Sequence, residues 1–286
     1  SFLIGCGVLI IFMRYRQLIQ SRLAIKVDYQ KYQKMWKEKM EEDGPESLAR
    51  LKAKCYELRN GRNSWRGVVV RQMTSQYLTS ESGEVRWKRV GPGTPVHSLD
   101  QLYAAAAGCD IILRKKVKDW AMKTRGRFPL QKGEGHAREF VVWEEVRDDP
   151  EVACKVRFGH LKSVERAIEK LLRSYDSDVS RLIDVCRQSI VFDTISEITD
   201  FLQLIGDDQD IKIERIKNRY APSYKAINSA GYRDVNISLR IITQETIKLG
   251  IDTHICEVQL QLKCFSELKT DEGHKRYVQF RNARGE

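Results

Sequence analysis

Three acidic residues border or lie within β-like segments in the second half of the chain. Asp184 comes just before one such segment, Asp193 just after it, and Glu257 lies inside another. A carboxylate in an apolar strand is unfavourable unless it is paired or bound to a metal ion. The alternative interpretation of Glu257 is a solvent-facing strand position. Two carboxylates on neighbouring strands would suit Mg²⁺, which commonly takes one or two protein carboxylates together with phosphate oxygens.

Basic side chains are concentrated in two segments that flank these carboxylates in the sequence. Lys162, Arg166 and Lys170 recur every four residues and share one face of a helix. This face is either solvated or a row of cations directed at phosphates. The second segment, residues 215–220, reads Arg-Ile-Lys-Asn-Arg-Tyr, and Gly-Tyr-Arg-Asp follows at 231–234. The glycine lets the backbone turn close to a ligand, and the tyrosine offers a flat face for a nucleobase.

The elements that must position these residues alternate between strands and helices. Apolar periodicity predicts helices over residues 161–172, 195–205 and 262–282, and strands over 187–192, 210–216, 235–242 and 253–261. This order predicts an α/β (α+β) domain over residues 151–286, with a mixed five-stranded sheet flanked by helices. We expect the acidic and basic residues to meet at one mouth of that sheet.

Residues 155–283 resemble the synthetase domain of the RelA/SpoT nucleotidyltransferases. Five blocks of that family have counterparts in the same order. They are Gly159-His160-Leu161-Lys162 with Lys170 eight residues on, Asp184, Arg215-Ile216-Lys217-Asn218, Gly231-Tyr232-Arg233-Asp234-Val235-Asn236, and Glu257-Val258-Gln259. Several short runs, among them Gly-Tyr-Arg-Asp-Val and Lys-Asn-Arg, look more closely like a divergent protist and algal branch of the superfamily. The resemblance implies a nucleotidyltransferase-like fold.

The resemblance also implies roles for individual residues. Members of the family transfer pyrophosphate from ATP to the 3′-hydroxyl of GTP or GDP. Asp184 and Glu257 would be the catalytic pair that holds Mg²⁺, with Glu257 also taking the hydroxyl proton, and Asp193 is the alternative to Asp184. Tyr232 would stack on guanine. The cations expected to bind or help to bind the nucleotides are Lys162, Arg166, Lys170, Arg215, Lys217, Arg219 and Arg233.

Four positions depart from the family pattern. The arginine of the first block is His160 here, and the arginine five residues after the strand aspartate is Ser189. The histidine of the Gly-Tyr block is Asn236, and the aspartate of the third block is Asn218. Losing one transition-state contact lowers the rate by roughly 10²–10³. The alternative function is therefore a catalytically impaired nucleotide-sensing or interaction module on the same fold.

The N-terminal region resembles the end of a membrane segment. Thirteen residues without charge precede Arg14, and the first 150 residues carry +10 of the net charge of +11. Positive residues stay on the cytosolic side of membranes. We therefore predict the end of a transmembrane helix over 1–16, basic juxtamembrane helices over 17–63 with a break at Gly44-Pro45, and residues 14–286 on the cytosolic side. The alternative is a buried N-terminal helix of a soluble protein.

Residues 64–150 are predicted to form a small α+β accessory region, with β-like residues at 64–95, a loop at 91–95, and a helix that starts near Ser98. Nucleic acid is not expected as a partner, because a β-surface interface would interleave aromatics with cations, and only residues 85–89 hint at that pattern. The seven cysteines form no CxxC pair, which indicates reduced thiols rather than a disulfide framework.

Overall fold

In the computed structural model, four stretches of the chain are described: residues 2–60, 70–77, 89–131 and 139–284. The helices are α1 Phe2–Asn60, α2 Leu99–Thr124, α3 Trp143–Val146, α4 Pro150–Ala153, α5 Val164–Ser174, α6 Ile195–Asp207, α7 Gln244–Lys248, α8 Lys263–Leu268 and α9 Asp271–Arg284. The strands are β1 Met73–Tyr77, β2 Arg89–Pro95, β3 Arg127–Pro129, β4 Phe140–Val142, β5 Arg187–Phe192, β6 Ile211–Asn218, β7 Val235–Ile241 and β8 Cys256–Leu262.

The main sheet has six strands in the order β4-β3-β5-β8-β7-β6. β5 and β8 are parallel, whereas β7 runs antiparallel to both β6 and β8. The prediction of a mixed sheet flanked by helices is confirmed, but the sheet has six strands in the described residues rather than five. Four of them, β5 to β8, correspond to the strands placed from the sequence. The other two are β3 and β4, which pair with each other, and β3 also pairs with β5.

The two faces of the sheet differ in polarity because the strands alternate. In β7 the residues at 235, 237, 239 and 241 are Val, Ile, Leu and Ile, while Asn236, Ser238 and Arg240 point the other way. The apolar side chains belong to one core that also includes Trp120 of α2 and Phe201 of α6. The opposite face is polar and is the floor of the cavity described below.

A β-bulge in β6 keeps its cations on the polar face. Ile211 and Ile213 pair with apolar positions of β7, and the register shifts between Ile213 and Arg215. After this shift Ile216 is buried, and Arg215 pairs with Ser238 on the polar side. Because such a bulge inserts one extra residue, the side chains that follow it change the face of the sheet to which they point. Glu214, the additional residue, accepts a hydrogen bond from Arg240 Nε at 2.6 Å.

α1 is a long helix with one kink and packs against the sheet domain. The predicted break is present at Gly44, which has φ 76° and ψ 157°. Before the kink, Ile25 is fully buried in a small cluster with Ala230 and Phe280. After it, Leu51 is fully buried in the main core. The second half of the predicted juxtamembrane region is therefore part of the packed protein.

The prediction of a transmembrane segment, and with it a membrane location for the chain, is wrong. None of the described helices combines the length and the apolar character needed to cross a membrane. A bilayer core needs about 20 apolar residues.

The region between α1 and β5 contains the two-stranded ribbon β1–β2, helix α2, and β3 and β4. Residues 91–95, predicted as a loop, lie in β2 and pair with β1. Its prolines are tolerated because a two-stranded ribbon has unpaired edges. α2 begins where expected, with the Ser98 hydroxyl accepting a hydrogen bond from the Gln101 N–H. Residues 64–69, and 85–88 of the basic run, lie outside the described residues.

Candidate functional site

The polar face of the sheet forms the floor of a cavity of about 860 Å³. Pockets that bind small molecules are commonly 300–1,000 Å³. Its lining is strongly basic, with ten lysines and arginines against five aspartates and glutamates. The cations are Arg157, Lys162, Arg166, Lys170, Arg187, Arg215, Lys217, Arg219, Lys269 and Arg281. A cavity with this charge attracts an anionic ligand.

The pairing of the strands arranges the side chains of the cavity floor in two rows that cross the sheet. The first row, from β5 to β6, is Arg187, Glu257, Ser238 and Arg215. The second row is Ser189, Gln259, Asn236 and Lys217. Side chains directly opposite on adjacent strands lie within about 5.5 Å of one another at Cβ. Glu257 is thus a carboxylate in the middle of its row, and an arginine lies at each end of that row.

Asp184, at the edge of this floor, is paired with two lysines. Its Oδ2 accepts hydrogen bonds from Lys162 Nζ at 2.7 Å and Lys170 Nζ at 2.9 Å. Burial would raise the pKa of Asp184, but the charges of Lys170 and Lys162 hold it well below its usual range. Asp184 is therefore ionised. Its other oxygen, Oδ1, is buried and has no hydrogen-bond partner.

α5 and the residue before it place those lysines. The Ser163 hydroxyl caps α5 by accepting from the Arg166 N–H, which fixes where the helix begins. Lys162 is tied down through its backbone, because its N–H donates to Val185 O and its carbonyl accepts from the Tyr103 hydroxyl. Burial lowers the pKa of Lys162. Lys170 lies two turns into α5, and Asp184 raises its pKa against the effect of burial.

Glu257 is held by a chain of hydrogen bonds along β8. Ser266 Oγ donates to Gln261 Oε1, and Gln261 Nε2 donates to Gln259 Oε1. Gln259 Nε2 then donates to Glu257 Oε1 at 2.6 Å. Burial lowers the pKa of Arg215, and the charges of Glu257 and Asp184 act on it in the opposite direction. Arg215 is thus within electrostatic reach of both predicted magnesium ligands.

The residues present fit a magnesium ion that takes most of its ligands from elsewhere. The buried Oδ1 of Asp184 lacks a partner, and Glu257 lines the same cavity. Across the described parts of the chain, no group of three or more His, Cys, Asp or Glu side chains is arranged to hold a metal. One or two carboxylates completed by phosphates and water are what Mg²⁺ commonly accepts.

Tyr232 lines the same cavity and belongs to an aromatic cluster. Its ring meets Tyr32 edge-on, with centroids 6.2 Å apart, and Phe265 at 6.3 Å. Lys269 Nζ lies 5.6 Å from its ring centre. Its hydroxyl is buried without a hydrogen-bond partner. The ring is thus a flat group at the cavity wall with a cation close to it.

The structure brings nine of the ten predicted site residues to this cavity. Arg233 is the exception, because it does not line the cavity. Its guanidinium packs 4.7 Å from the ring centre of Trp36 and donates to Arg219 O. Asp193, the alternative metal ligand, is outside the cavity lining and paired with Arg127. His160 is exposed and also lies outside the lining.

Several lining residues were not predicted from the sequence. They include Arg157, Lys269 and Arg281, and from α1 Asp28 and Tyr32. The α1 pair had a usable signal, since residues four apart lie on one face of a helix. No local motif marks the others, because they reach the cavity only through tertiary packing.

No protein-family model and no curated protein sequence matches the chain. Among solved structures it is similar to small alarmone synthetase 2 from Bacillus subtilis, with 17% identity and a TM-score of 0.42 over 64% of this chain and 81% of the other. It is also similar to small alarmone synthetase 1 from the same organism, bound to its product pppGpp. There the identity is 15% and the TM-score 0.32, over 37% of this chain and 54% of the other.

A GTP pyrophosphokinase family protein from Streptococcus pneumoniae is similar at 18% identity and a TM-score of 0.32, over 44% of this chain and 68% of the other. The predicted resemblance to RelA/SpoT-type synthetase domains is confirmed.

Proposed function

We propose that this protein binds guanine and adenine nucleotides in the cavity and transfers pyrophosphate from ATP to the 3′-hydroxyl of GTP or GDP. One observation carries the proposal. A cavity of nucleotide size holds ten cations, two carboxylates that match the family's catalytic pair, and the ring of Tyr232. Phosphoryl transfer needs mainly positioning and electrostatic stabilisation, and this lining offers both.

In this proposal the cations act on the phosphates. Lys162, Lys170, Arg215 and Lys217 neutralise the polyphosphate chain, with Arg166 and Arg219 beside them. Each charge-assisted hydrogen bond is worth roughly 1.5–3 kcal/mol. The lysines also have to part from Asp184 far enough to meet phosphate oxygens. Their present partner is therefore a competitor for the ligand.

Glu257 is the proposed general base. Its carboxylate takes the proton of the 3′-hydroxyl as the oxygen forms a bond to the β-phosphorus of ATP. The bond from that phosphorus to the oxygen bridging to the α-phosphate breaks, and AMP leaves with the bridging oxygen. The hydrogen bond from Gln259 fixes the orientation of Glu257, which is the preorganisation that proton transfer requires. Mg²⁺, held by Asp184 and Glu257, would neutralise charge on the transferred group.

A nucleotide-sensing module without turnover is the second candidate, and a specific observation favours it. The second row of the floor contains Ser189 and Asn236, where the related family has an arginine and a histidine. In addition, Asp184 already holds two lysines. These features leave the groups that bind phosphate in place while removing groups near the reacting atoms.

The test separates binding from turnover. Calorimetry with GTP, GDP and ATP measures affinity, and chromatography of a mixture of ATP and GDP with Mg²⁺ measures AMP and pyrophosphorylated product. Tyr232→Ala is expected to weaken guanine nucleotides by about tenfold, from the stacking energy of a base, and adenine nucleotides less. Equal loss for both would contradict guanine stacking. Absence of binding by the wild type at millimolar GTP would contradict the proposed function.

Glu257→Gln is the matched variant for turnover. It preserves the size of the side chain and removes the base, so AMP formation should fall by at least about 10² while GTP affinity stays within a few fold. Binding by wild type without AMP formation would instead favour the sensing module.

A further inference from the structure

Helix α1 forms part of the cavity wall although it lies outside the region that resembles the synthetase family. Asp28 and Tyr32, one turn apart on α1, line the cavity together with Tyr232 and Lys269. Tyr32 is only 9% exposed. A helix that was expected to act as a tether thus contributes an aromatic side chain next to the proposed base-binding tyrosine.

Tyr32 and Tyr232 belong to one aromatic cluster. Tyr32 stacks on Phe265 with centroids 5.5 Å apart and planes at 15°. Tyr232 meets both of these rings edge-on, at 6.2 and 6.3 Å. Edge-to-face and stacked contacts at these distances are favourable and directional. The position of the Tyr232 ring therefore depends on Tyr32.

Two anchors hold α1 in register at this point. Gly231, with φ 92°, lies so close to α1 that a Cβ there would be 2.7 Å from Tyr32 Cβ. On the other side, Asp28 accepts two hydrogen bonds from Arg276 of α9, at 2.8 and 2.7 Å. Tyr32 is thus fixed between the Gly231 turn and α9, both of which border the cavity.

We propose that Tyr32 is a specificity-determining residue for the purine base. It sets the position of the Tyr232 ring and presents its own ring to the edge of a base stacked there. This inference rests on the proposed function, because it needs a base at Tyr232. It goes further by assigning part of the base contact to α1, while the phosphates are left to the sheet and α5.

The test compares a ligand with a base and a ligand without one. GTP and inorganic tripolyphosphate are titrated into wild type, Tyr32→Ala, Tyr32→Phe and Tyr56→Ala, an exposed tyrosine on the same helix that serves as control. Tyr32→Ala should weaken GTP about tenfold, the contribution of one aromatic contact to a base. Tripolyphosphate affinity should stay within about twofold, and Tyr56→Ala should behave like wild type. Tyr32→Phe keeps the ring and should retain most of the GTP affinity that Tyr32→Ala loses.

The outcomes distinguish the two proposals. Unchanged GTP affinity in Tyr32→Ala overturns the inference and leaves the proposed function standing. Equal losses for GTP and tripolyphosphate also overturn it, since they would show that Tyr32 only supports the fold. A wild type that binds GTP no more tightly than tripolyphosphate overturns both, because no base site would then exist.

Discussion

Lys217 makes nucleotide affinity depend on pH in a way that can be calculated. Its side chain remains open to solvent at the cavity. Even so, desolvation, together with the nearby charges of Arg215, Arg219 and Lys170, lowers its pKa from 10.5 to about 8. The effect of Glu257 in the opposite direction is smaller. A polyphosphate placed among these cations offsets their repulsion, and its negative charge should raise the pKa of Lys217 again.

The sign and size follow from linkage. The bound state holds the proton more tightly than the unbound state, so affinity is high below the unbound pKa and falls as the pH rises above it. With a pKa of about 8 in the unbound state and a higher pKa in the complex, affinity should be several-fold weaker at about pH 9.5 than at about pH 7.5. Ligand binding should be accompanied by uptake of a fraction of a proton at about pH 9.

ATP is the suitable ligand for this measurement because its base does not ionise in that range. Calorimetry in buffers of different ionisation enthalpy gives both the affinity and the number of protons taken up. Lys217→Arg is the control, since an arginine stays charged throughout. Its affinity should change little with pH, apart from a remainder due to Lys162, whose pKa is also lowered. The same pH slope in Lys217→Arg as in wild type would refute the reasoning.

Three further outcomes are expected from the contacts described. Asp184→Asn should abolish turnover. It should also raise the affinity for tripolyphosphate without Mg²⁺ by about fivefold, because it removes a carboxylate whose attraction for the two lysines is worth ~1 kcal/mol. Weaker tripolyphosphate binding in calorimetry would contradict this prediction. Gly231→Ala should lower the free energy of unfolding, measured in urea, by about 2–3 kcal/mol, because its φ of 92° and the nearby α1 both disfavour a Cβ. The control is Gly7→Ala, which should not lower it, because no heavy atom would lie within 4 Å of the new Cβ. Glu214→Gln should lower the free energy of unfolding by about 3–5 kcal/mol, because it leaves the buried Arg240 without its carboxylate partner. A decrease below about 1 kcal/mol in urea unfolding would show that the bulge does not depend on this ion pair.

Element positions were predictable because local patterns specify them. The strand at 187–192 has the predicted bounds, and the helix predicted at 195–205 is α6, Ile195–Asp207. Its Thr194-Glu197 capping box and apolar period of 3.6 residues are properties of the segment itself. Nine of the ten predicted site residues also line one cavity, since each lies at the end or on the polar face of an element.

Contacts between distant segments were not predictable in the same way. The strands β3 and β4 have three residues each, too few for a period of two to be recognised in the sequence. Part of α1 is buried because it packs against α6, α9 and β6. The sequence of the helix itself does not indicate which elements it packs against. The membrane segment predicted before Arg14 was wrong because a run of apolar residues is not sufficient for a membrane span, and no described helix is long and apolar enough to be one.

The register places two of the departures from the family pattern, Ser189 and Asn236, in the same row as Lys217. In the first row of the floor, Glu257 compensates Arg187 and Arg215. In the second row, the neighbours of Lys217 are neutral, namely Ser189, Gln259 and Asn236. Lys217 therefore has no carboxylate in its row to offset desolvation and the charges of Arg215, Arg219 and Lys170, which lower its pKa. A bound polyphosphate would supply the negative charge that this row lacks, so binding should stabilise the protonated form of Lys217.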